Sequence, residues 1–137
     1  MILIACLDDK GGMMFNRRRQ SQDRVLRQRI LEKTAGARLW MNGYSAKQFA
    51  EEHGEQIETA EDFLDRAGDG EFSFVENIDG SAYEERIEKI ILYKWNRTYP
   101  ADLYFGIPLI ENGWHLTESE EFAGYSHEKI TEEVYEK

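Results

Sequence analysis

The segment Gly11–Asp23 contains the side chains best suited to chemistry in this sequence. It begins with two glycines, ends on one acid, Asp23, and carries three consecutive arginines in its middle, Arg17, Arg18 and Arg19. Guanidinium groups pair bidentately with phosphates and carboxylates, and a carboxylate can bind an amidine-like ring edge or move a proton. We therefore predict that this segment borders the opening of a ligand pocket. Asp23 would lie at the base of the pocket as the candidate catalytic group. The alternatives are solvated arginines and an acid that only stabilises the start of a helix.

The elements on either side of the segment predict where this pocket lies. Ile2–Leu7 is an uninterrupted apolar run, typical of a central parallel strand that is buried on both faces. A helical pattern runs from Ser21, the predicted N-cap, to about Lys33. A buried strand, a polar loop and a helix in this order favour a site at the carboxyl end of a strand in an open α/β sheet.

The rest of the chain predicts a single domain over residues 1–137. Further helices are predicted from Ser45 to about His53, from a capping box at Thr59, and around Tyr83. Residues 54–58 are predicted to be only a short connection. Further strands are predicted at 38–41, 72–75, 90–95, 103–105, 114–122 and 130–135, the last three of them antiparallel.

The net charge of −10 is distributed unevenly along the chain. Residues 1–50 hold ten Lys or Arg against four Asp or Glu, and residues 51–137 hold seven against twenty-three. We favour two faces of one domain that partly neutralise each other, and the functional alternative is a basic lip for an anionic ligand. A chain this acidic repels nucleic-acid phosphates over most of its surface, so nucleic acid is not an expected partner.

The sequence predicts a cytoplasmic protein without membrane association. No apolar run is long enough to span a membrane, and the first one is short and lacks the preceding basic residues of a signal peptide. The single cysteine, Cys6, lies within the first predicted strand and fits a small buried hydrophobe better than a nucleophile. The oligomeric state is not predictable from these features.

Taken in order, these pieces resemble dihydrofolate reductase over nearly the whole chain. The first strand and the loop with Asn16 are similar to that family's first strand and mobile active-site loop, and Asp23 falls where the family keeps its essential carboxylate. Residues 39–45, LWMNGYS, resemble the strand-to-helix junction that helps to hold the cofactor. Residues 74–83, FVENIDGSAY, resemble the strand, glycine-rich turn and tyrosine-bearing helix further on.

The resemblance implies an α/β, three-layer dihydrofolate reductase-like fold. Its sheet would be mixed and mostly parallel, with helices on both faces and antiparallel C-terminal strands. On this basis we extend the predicted ligand-binding set beyond the three arginines. The added residues are Asn16, Arg27, Asn42, Tyr44, Ser45, Asp79 and Tyr83.

Departures from the family pattern argue against ordinary NADPH binding. The glycines expected beneath the cofactor pyrophosphate are reduced to Gly80, which Ile78 and Asp79 precede. A carboxylate about 4 Å from a phosphate costs roughly 4 kcal/mol at an effective dielectric of about 20. Asn42 stands where a basic residue that grips a phosphate is expected, and residues 54–58 are too few for the strand that binds the adenosine end. No cofactor is therefore expected, and Arg27, in place of an aromatic, argues against folate.

Metal and hydrolytic chemistry have no recognisable pattern in the sequence. His53, His115 and His127 are isolated, and they lack the cluster that a metal-dependent ribonuclease of the ribonuclease Z class requires. An assignment to that class would be unsupported, and no metal site is predicted. There is no P-loop, no nucleophile elbow and no specific Ser/His/Asp arrangement.

The sequence thus predicts a diverged, non-reductase protein that binds a small polar or anionic ligand, such as a nucleotide or another metabolite, at the edge formed by residues 11–23. Two alternatives stay open. One is a reductase that uses a nicotinamide cofactor in an altered pose. The other is a protein-interaction module whose two charged faces meet a partner.

Overall fold

The strand Ile2–Leu7 lies at the centre of a seven-stranded sheet, as its apolar run predicts. The computed structural model describes residues 1–137. In chain order its strands are Ile2–Leu7 (β1), Gly12–Phe15 (β2), Arg18–Arg19 (β3), Leu39–Met41 (β4), Ile57–Thr59 (β5), Phe72–Phe74 (β6), Lys89–Lys94 (β7), Leu103–Tyr104 (β8), His115–Phe122 (β9) and Ile130–Glu136 (β10). The α-helices are Arg24–Lys33 (α1), Gly43–Gln48 (α2) and Phe63–Arg66 (α3), and a 3-10 helix covers Ser81–Arg86.

The large sheet has the order β5-β4-β6-β1-β7-β10-β9. Its pairs are parallel from β5 to β7, whereas β10 pairs antiparallel with both β7 and β9. This arrangement confirms the predicted mixed sheet with antiparallel C-terminal strands. The strands β3, β2 and β8 form a second, small antiparallel sheet. No helix combines the length and apolar character that crossing a membrane requires.

Helices cover both faces of the large sheet, which gives the predicted three layers. On one face, Ile4 of β1 packs in a buried cluster with Leu26 and Ile30 of α1 and with Phe49, which follows α2. On the other face, the alternate β1 residues Leu3, Ala5 and Leu7 pack with Phe63 and Leu64 of α3 and with Trp114. The carboxyl ends of β1, β4 and β6 therefore open between α1 and α2, where ligands bind in open α/β sheets.

The segment after β1 is a β-hairpin, and the prediction of a plain loop is wrong. Met14 pairs with Arg19 and Phe15 with Arg18. Asn16 and Arg17 form the turn, with φ of 51° and 62°. Positive φ at both central residues is the requirement of the tight turn that suits the twist of a hairpin.

Several predicted helix starts are also wrong. The helix α1 is capped by Asp23 and not by Ser21, since the extended Asp23 accepts the N–H groups of Val25 and Leu26. The helix α2 is capped by Asn42 and not by Ser45, whose N–H the Asn42 side chain accepts. It ends at Gln48, short of the predicted end.

The predicted capping box does not form, because Thr59 belongs to a strand. Residues Ile57–Thr59 pair in parallel with Leu39–Met41 at the edge of the large sheet. The helix α3 then begins at Phe63, after Asp62. The expectation that residues 54–58 are too few for an additional strand is therefore wrong, since three residues suffice for β5.

Ion pairs join the basic first part of the chain to the acidic remainder. Arg29 and Lys33 of α1 both pair with the buried Glu132 of β10, and Arg38 pairs with Glu71. Tyr93 donates its hydroxyl to the same Glu132 at 2.7 Å. These contacts agree with the interpretation that the two charged parts of the sequence neutralise each other within one domain.

Candidate functional site

The Asp23 carboxylate is buried between the start of α1 and the turn that joins β9 to β10. One oxygen, Oδ1, accepts the N–H groups of Val25, Leu26 and Tyr125 at 2.9 to 3.2 Å. The other, Oδ2, accepts the Ser126 N–H at 2.9 Å and lies 2.8 Å from His127 Nδ1. Burial alone would raise the pKa of Asp23, but these donors outweigh it and hold the pKa well below its ordinary value.

A charged Asp23 fixes the tautomer of His127. An imidazole nitrogen 2.8 Å from a carboxylate must carry a proton, so Nδ1 donates to Asp23, and in the tautomer that this contact selects Nε2 is the acceptor. The Ser21 hydroxyl lies 2.8 Å from that Nε2 and donates to it. The ring of Trp95 stacks on the imidazole with a centroid distance of 4.6 Å, which holds the ring in this orientation.

Gly124 permits the close approach of the β9–β10 turn to Asp23. A Cβ at this position would lie 2.7 Å from Asp23 Oδ2 and 3.0 Å from Ile130 Cδ1. Any larger residue would push the turn away from the carboxylate, because neither contact leaves space. The turn, Asp23 and His127 therefore form one tightly packed unit.

A second polar group fills the carboxyl end of β6, and we call it the Glu76 cluster. It consists of Arg19, Tyr44, Ser45, Gln48 and Glu76. The Arg19 guanidinium binds the buried Glu76 carboxylate through two contacts, of 2.9 and 3.1 Å. The same carboxylate accepts Ser45 Oγ at 2.8 Å and Gln48 Nε2 at 2.9 Å.

Tyr44 of α2 holds Arg19 in place through two contacts. The Arg19 backbone N–H donates to Tyr44 Oη at 2.8 Å, and the Arg19 guanidinium stacks 4.4 Å from the centre of the Tyr44 ring. The place where the sheet would admit a ligand is thus occupied by the protein's own ion pair. Cys6 lies close to it, and burial together with the Glu76 charge raises the pKa of its thiol. A protonated thiol is a poor nucleophile, in agreement with the prediction for Cys6.

Beside the Glu76 cluster lies an open cavity of about 600 Å³, which we call the cationic cleft. It is bounded by the loop before α1, by α1, by α2 and by the β9–β10 turn. Its walls are mostly polar, and their residues are Arg19, Gln22, Asp23, Arg24, Arg27, Lys47, Gln48, Ala50, Glu51, Tyr125 and Ser126.

The four cations of the cleft differ in their partners. Arg19 is held by Glu76, and Arg27 pairs with Glu52 and bonds Gln22 at 3.1 Å. Arg24 and Lys47 make no ion pair. The Arg24 guanidinium instead stacks 4.7 Å from the centre of the exposed Tyr125 ring. Two cations are therefore available to a ligand in the cleft, opposed by the carboxylate of Glu51.

The structure brings together only part of the predicted ligand-binding set. Arg19 and Arg27 line the cleft together with Asp23, and Tyr44 and Ser45 support it through the Glu76 cluster. The hairpin separates the three arginines, because successive residues of a strand point to opposite faces. Asn16, Arg17 and Arg18 are exposed at and beside the hairpin turn, and the Asn16 N–H donates to Asp102.

The other predicted residues do not line the cleft, and their side chains bond to other groups of the protein. Asn42 caps α2 and donates to Asn77 at 2.8 Å. Asp79 accepts the Ser81 N–H at the start of the 3-10 helix, and Tyr83 donates to Asp65 at 3.0 Å. Ligand binding by these three residues stays a prediction.

Sequence reasoning missed several residues of the site. Arg24 and Lys47 belong to helices whose outward faces are polar throughout, so their sequence positions carry no signal. The position of Glu76 did carry a signal, because a lone acid directly after a buried strand lies at the carboxyl edge of the sheet. Ser21 and His127 are 106 positions apart, and no local pattern joins them.

The sheet order, the helices on both faces and the edge with the cleft together define a dihydrofolate reductase-like fold. A solved structure of dihydrofolate reductase from Enterococcus faecalis, in complex with NADP(H) and RAB-propyl, superposes on this chain with a TM-score of 0.65. The match covers 98% of this chain and 94% of that chain at 10% sequence identity. No protein-family model and no curated protein matches the sequence. The predicted fold is thereby confirmed.

Proposed function

We propose that this protein binds a small anionic metabolite, one that bears a phosphate or a carboxylate, in the cationic cleft. The observation that carries the proposal is the pair of cations, Arg24 and Lys47, that face the cleft without a carboxylate partner. Arginine presents a planar fork that matches both kinds of anion, and lysine adds a mobile point charge. The cleft volume of about 600 Å³ suits a ligand of nucleotide size or smaller.

Backbone donors add to the attraction for an anion. The N–H groups of Gln22 and Asp23 have no acceptor within the protein, and they lie at the start of α1, where the helix dipole favours negative charge. The Glu51 carboxylate opposes an anion, so a ligand with a donor group next to its charge fits best. A hydroxylated or aminated phosphate or carboxylate has this character.

The contacts of Glu76 count against the nicotinamide-dependent alternative. The similar structure from Enterococcus faecalis was solved with NADP(H), but here the carboxyl end of β6 holds a buried ion pair. Opening it would separate Arg19 from Glu76, and breaking a buried pair costs about 3–5 kcal/mol when one charge is left uncompensated. We propose accordingly that the protein does not use NADPH as a cofactor.

Calorimetric titration with pyrophosphate, inorganic phosphate and succinate tests the proposal. We expect pyrophosphate to bind, and the variants Arg24→Ala and Lys47→Ala to weaken its binding about tenfold each, because a hydrogen bond to a charged group contributes about 1.5–3 kcal/mol. The variant Glu51→Gln should tighten it. Added salt should weaken binding to the wild type more than to either variant.

The matched control is Arg97→Ala, which removes an exposed arginine outside the cleft. Its affinity should stay within about twofold of the wild type, since charges further than about 8–10 Å away are largely screened at physiological salt. Equal loss of affinity in Arg97→Ala and Arg24→Ala would indicate nonspecific charge attraction and contradict the proposal. Consumption of NADPH in the presence of dihydrofolate would instead establish the reductase alternative.

A further inference from the structure

We propose that Ser21, His127 and Asp23 form a catalytic triad that hydrolyses esters of short carboxylic acids. The three side chains make the chain of hydrogen bonds that nucleophilic serine catalysis needs. Ser21 Oγ lies 2.8 Å from His127 Nε2, and His127 Nδ1 lies 2.8 Å from Asp23 Oδ2. In such triads the roles follow from this geometry and not from sequence position. This inference does not need the cations Arg24 and Lys47, although the Gln22 N–H belongs to both proposed sites.

Each member has the environment that its role requires. Asp23 is 2% exposed, and its pKa is held well below the ordinary value, so it is charged at neutral pH and orients the imidazole. His127 is 7% exposed and stacked on Trp95, which fixes Nε2 on the side of Ser21. Ser21 itself is half-buried, and the residues that follow it, Gln22 and Asp23, line the cationic cleft.

Donors for the developing oxyanion lie beside the nucleophile. The backbone N–H groups of Ser21 and Gln22 have no acceptor within the protein. In acyl transfer such groups stabilise the negative charge that forms on the carbonyl oxygen. They lie just before α1, where the dipole of the helix adds to the effect.

The reaction balances with water as the only co-reactant. Ser21 Oγ bonds to the acyl carbon while its proton passes to His127 Nε2. The ester C–O bond then breaks, and the proton on Nε2 goes to the departing alcohol, which leaves an acyl-serine. Water attacks this acyl carbon and gives a proton to Nε2, and the carboxylic acid departs as Ser21 Oγ recovers that proton. One ester and one water give one acid and one alcohol.

The surroundings restrict the acyl group to a short chain. The neighbouring cavity is the polar cationic cleft, whose lining includes Asp23, Gln22 and Ser126. The large apolar cavity of the protein, around Trp114 and Leu92, lies on the other face of the sheet. A long apolar chain would therefore have no pocket near Ser21.

Two assays with p-nitrophenyl acetate and a fluorophosphonate probe test the triad. We expect the wild type to hydrolyse the acetate at least about a hundredfold faster than Ser21→Ala, in the range that loss of a triad member produces. The probe should form one covalent adduct, which peptide mass spectrometry locates on Ser21. The control Ser119→Ala, at an exposed serine of β9, should match the wild type in both assays.

The role of His127 is read from the same adduct. His127→Gln should slow probe labelling of Ser21 about a hundredfold or more, with folding checked by circular dichroism. Should this variant fail to fold, the Ser21 adduct and the Ser21→Ala rate still decide the matter. The proposal is overturned when Ser21→Ala hydrolyses the acetate at the wild-type rate, or when the probe leaves Ser21 unmodified on the folded wild-type protein.

Discussion

Replacing Asp23 by asparagine should destabilise the whole fold, because this carboxylate joins α1 to the β9–β10 turn. Asparagine keeps the shape and can still cap α1 through its carbonyl oxygen. Its amide group, however, would face Ser126 N–H and His127 Nδ1, both of which are donors. Turning the amide around only moves the conflict to the N–H groups of the helix and of Tyr125.

The expected cost follows from the number of donors left without an acceptor. Each buried donor that loses its partner costs about 1–3 kcal/mol, and more for a partner that was charged. Two such donors give about 4 kcal/mol, which is a factor of roughly a thousand in the folding equilibrium. In a domain of this size the unfolding midpoint should fall by roughly 12 °C.

Urea unfolding followed by tryptophan fluorescence measures the effect, since Trp40, Trp95 and Trp114 are all buried. The matched control is Asp62→Asn at the start of α3. Asp62 is exposed and makes no side-chain cap hydrogen bond, so only its surface pair with Arg66 is lost, which should change the stability little. A difference of less than about 1 kcal/mol between the two variants would refute the reasoning.

The pH dependence of stability gives the same conclusion a second test. The pKa of Asp23 in the folded protein lies below its ordinary value of 3.8. Its charge therefore contributes stability that is complete above about pH 5 and is lost as the pH falls through the folded-state pKa. Stability of the wild type relative to Asp23→Asn should shrink over this acidic range. A constant difference down to pH 2 would contradict the low pKa.

Two further changes test the packing around the site. Gly124→Ala should cost about 1–3 kcal/mol in urea unfolding, because its Cβ would lie 2.7 Å from Asp23 Oδ2, and an unchanged midpoint would mean that the turn moves aside freely. Glu76→Gln should lower the free energy of unfolding by about 2 kcal/mol in the same assay, since the half-buried Arg19 loses its charged partner. An unchanged free energy of unfolding would show that this ion pair does not hold the hairpin in place.

The sequence predicted the large elements, because their patterns are local and unambiguous. The apolar run of β1, the alternating residues of β10 and the apolar face of α1 each bury in one way only. The first residues of the helices were harder to predict, since both Asn42 and Ser45 are residue types that cap helices. The structure resolves the competition through one hydrogen bond, from the Ser45 N–H to the Asn42 side chain.

The hairpin was missed because its turn lacks the usual composition. Asn16 accepts a positive φ readily, but the second turn residue is Arg17 where glycine is favoured. One local and one long-range hydrogen bond compensate: Asp8 accepts the Gly12 N–H at 2.8 Å and the Tyr99 N–H at 3.1 Å. Sequence patterns over a few residues cannot include a partner 91 positions away.

The site was predictable only in outline. Asp23 and Arg19 line the cleft, since a loop between a strand and a helix lies at the sheet edge, and ligand binding by them stays a prediction. The partners that decide what these residues do, Glu76 and His127, come from distant strands and turns. The chemistry of Asp23 thus depends on contacts that no local motif encodes.

The strand β9 has a further consequence for how the molecule behaves at high concentration. It is an eight-residue edge strand of the large sheet, and nearly all of it is exposed. Such an edge offers unpaired N–H and C=O groups to a second copy of the chain. Three glutamates, Glu118, Glu120 and Glu121, line it. Glu120 pairs with Arg29 and Glu121 with Lys129, but the strand itself carries no lysine or arginine, so two copies that approach edge to edge bring their acidic side chains together. The acidic residues of this part of the sequence thereby oppose the pairing of β9 strands between molecules.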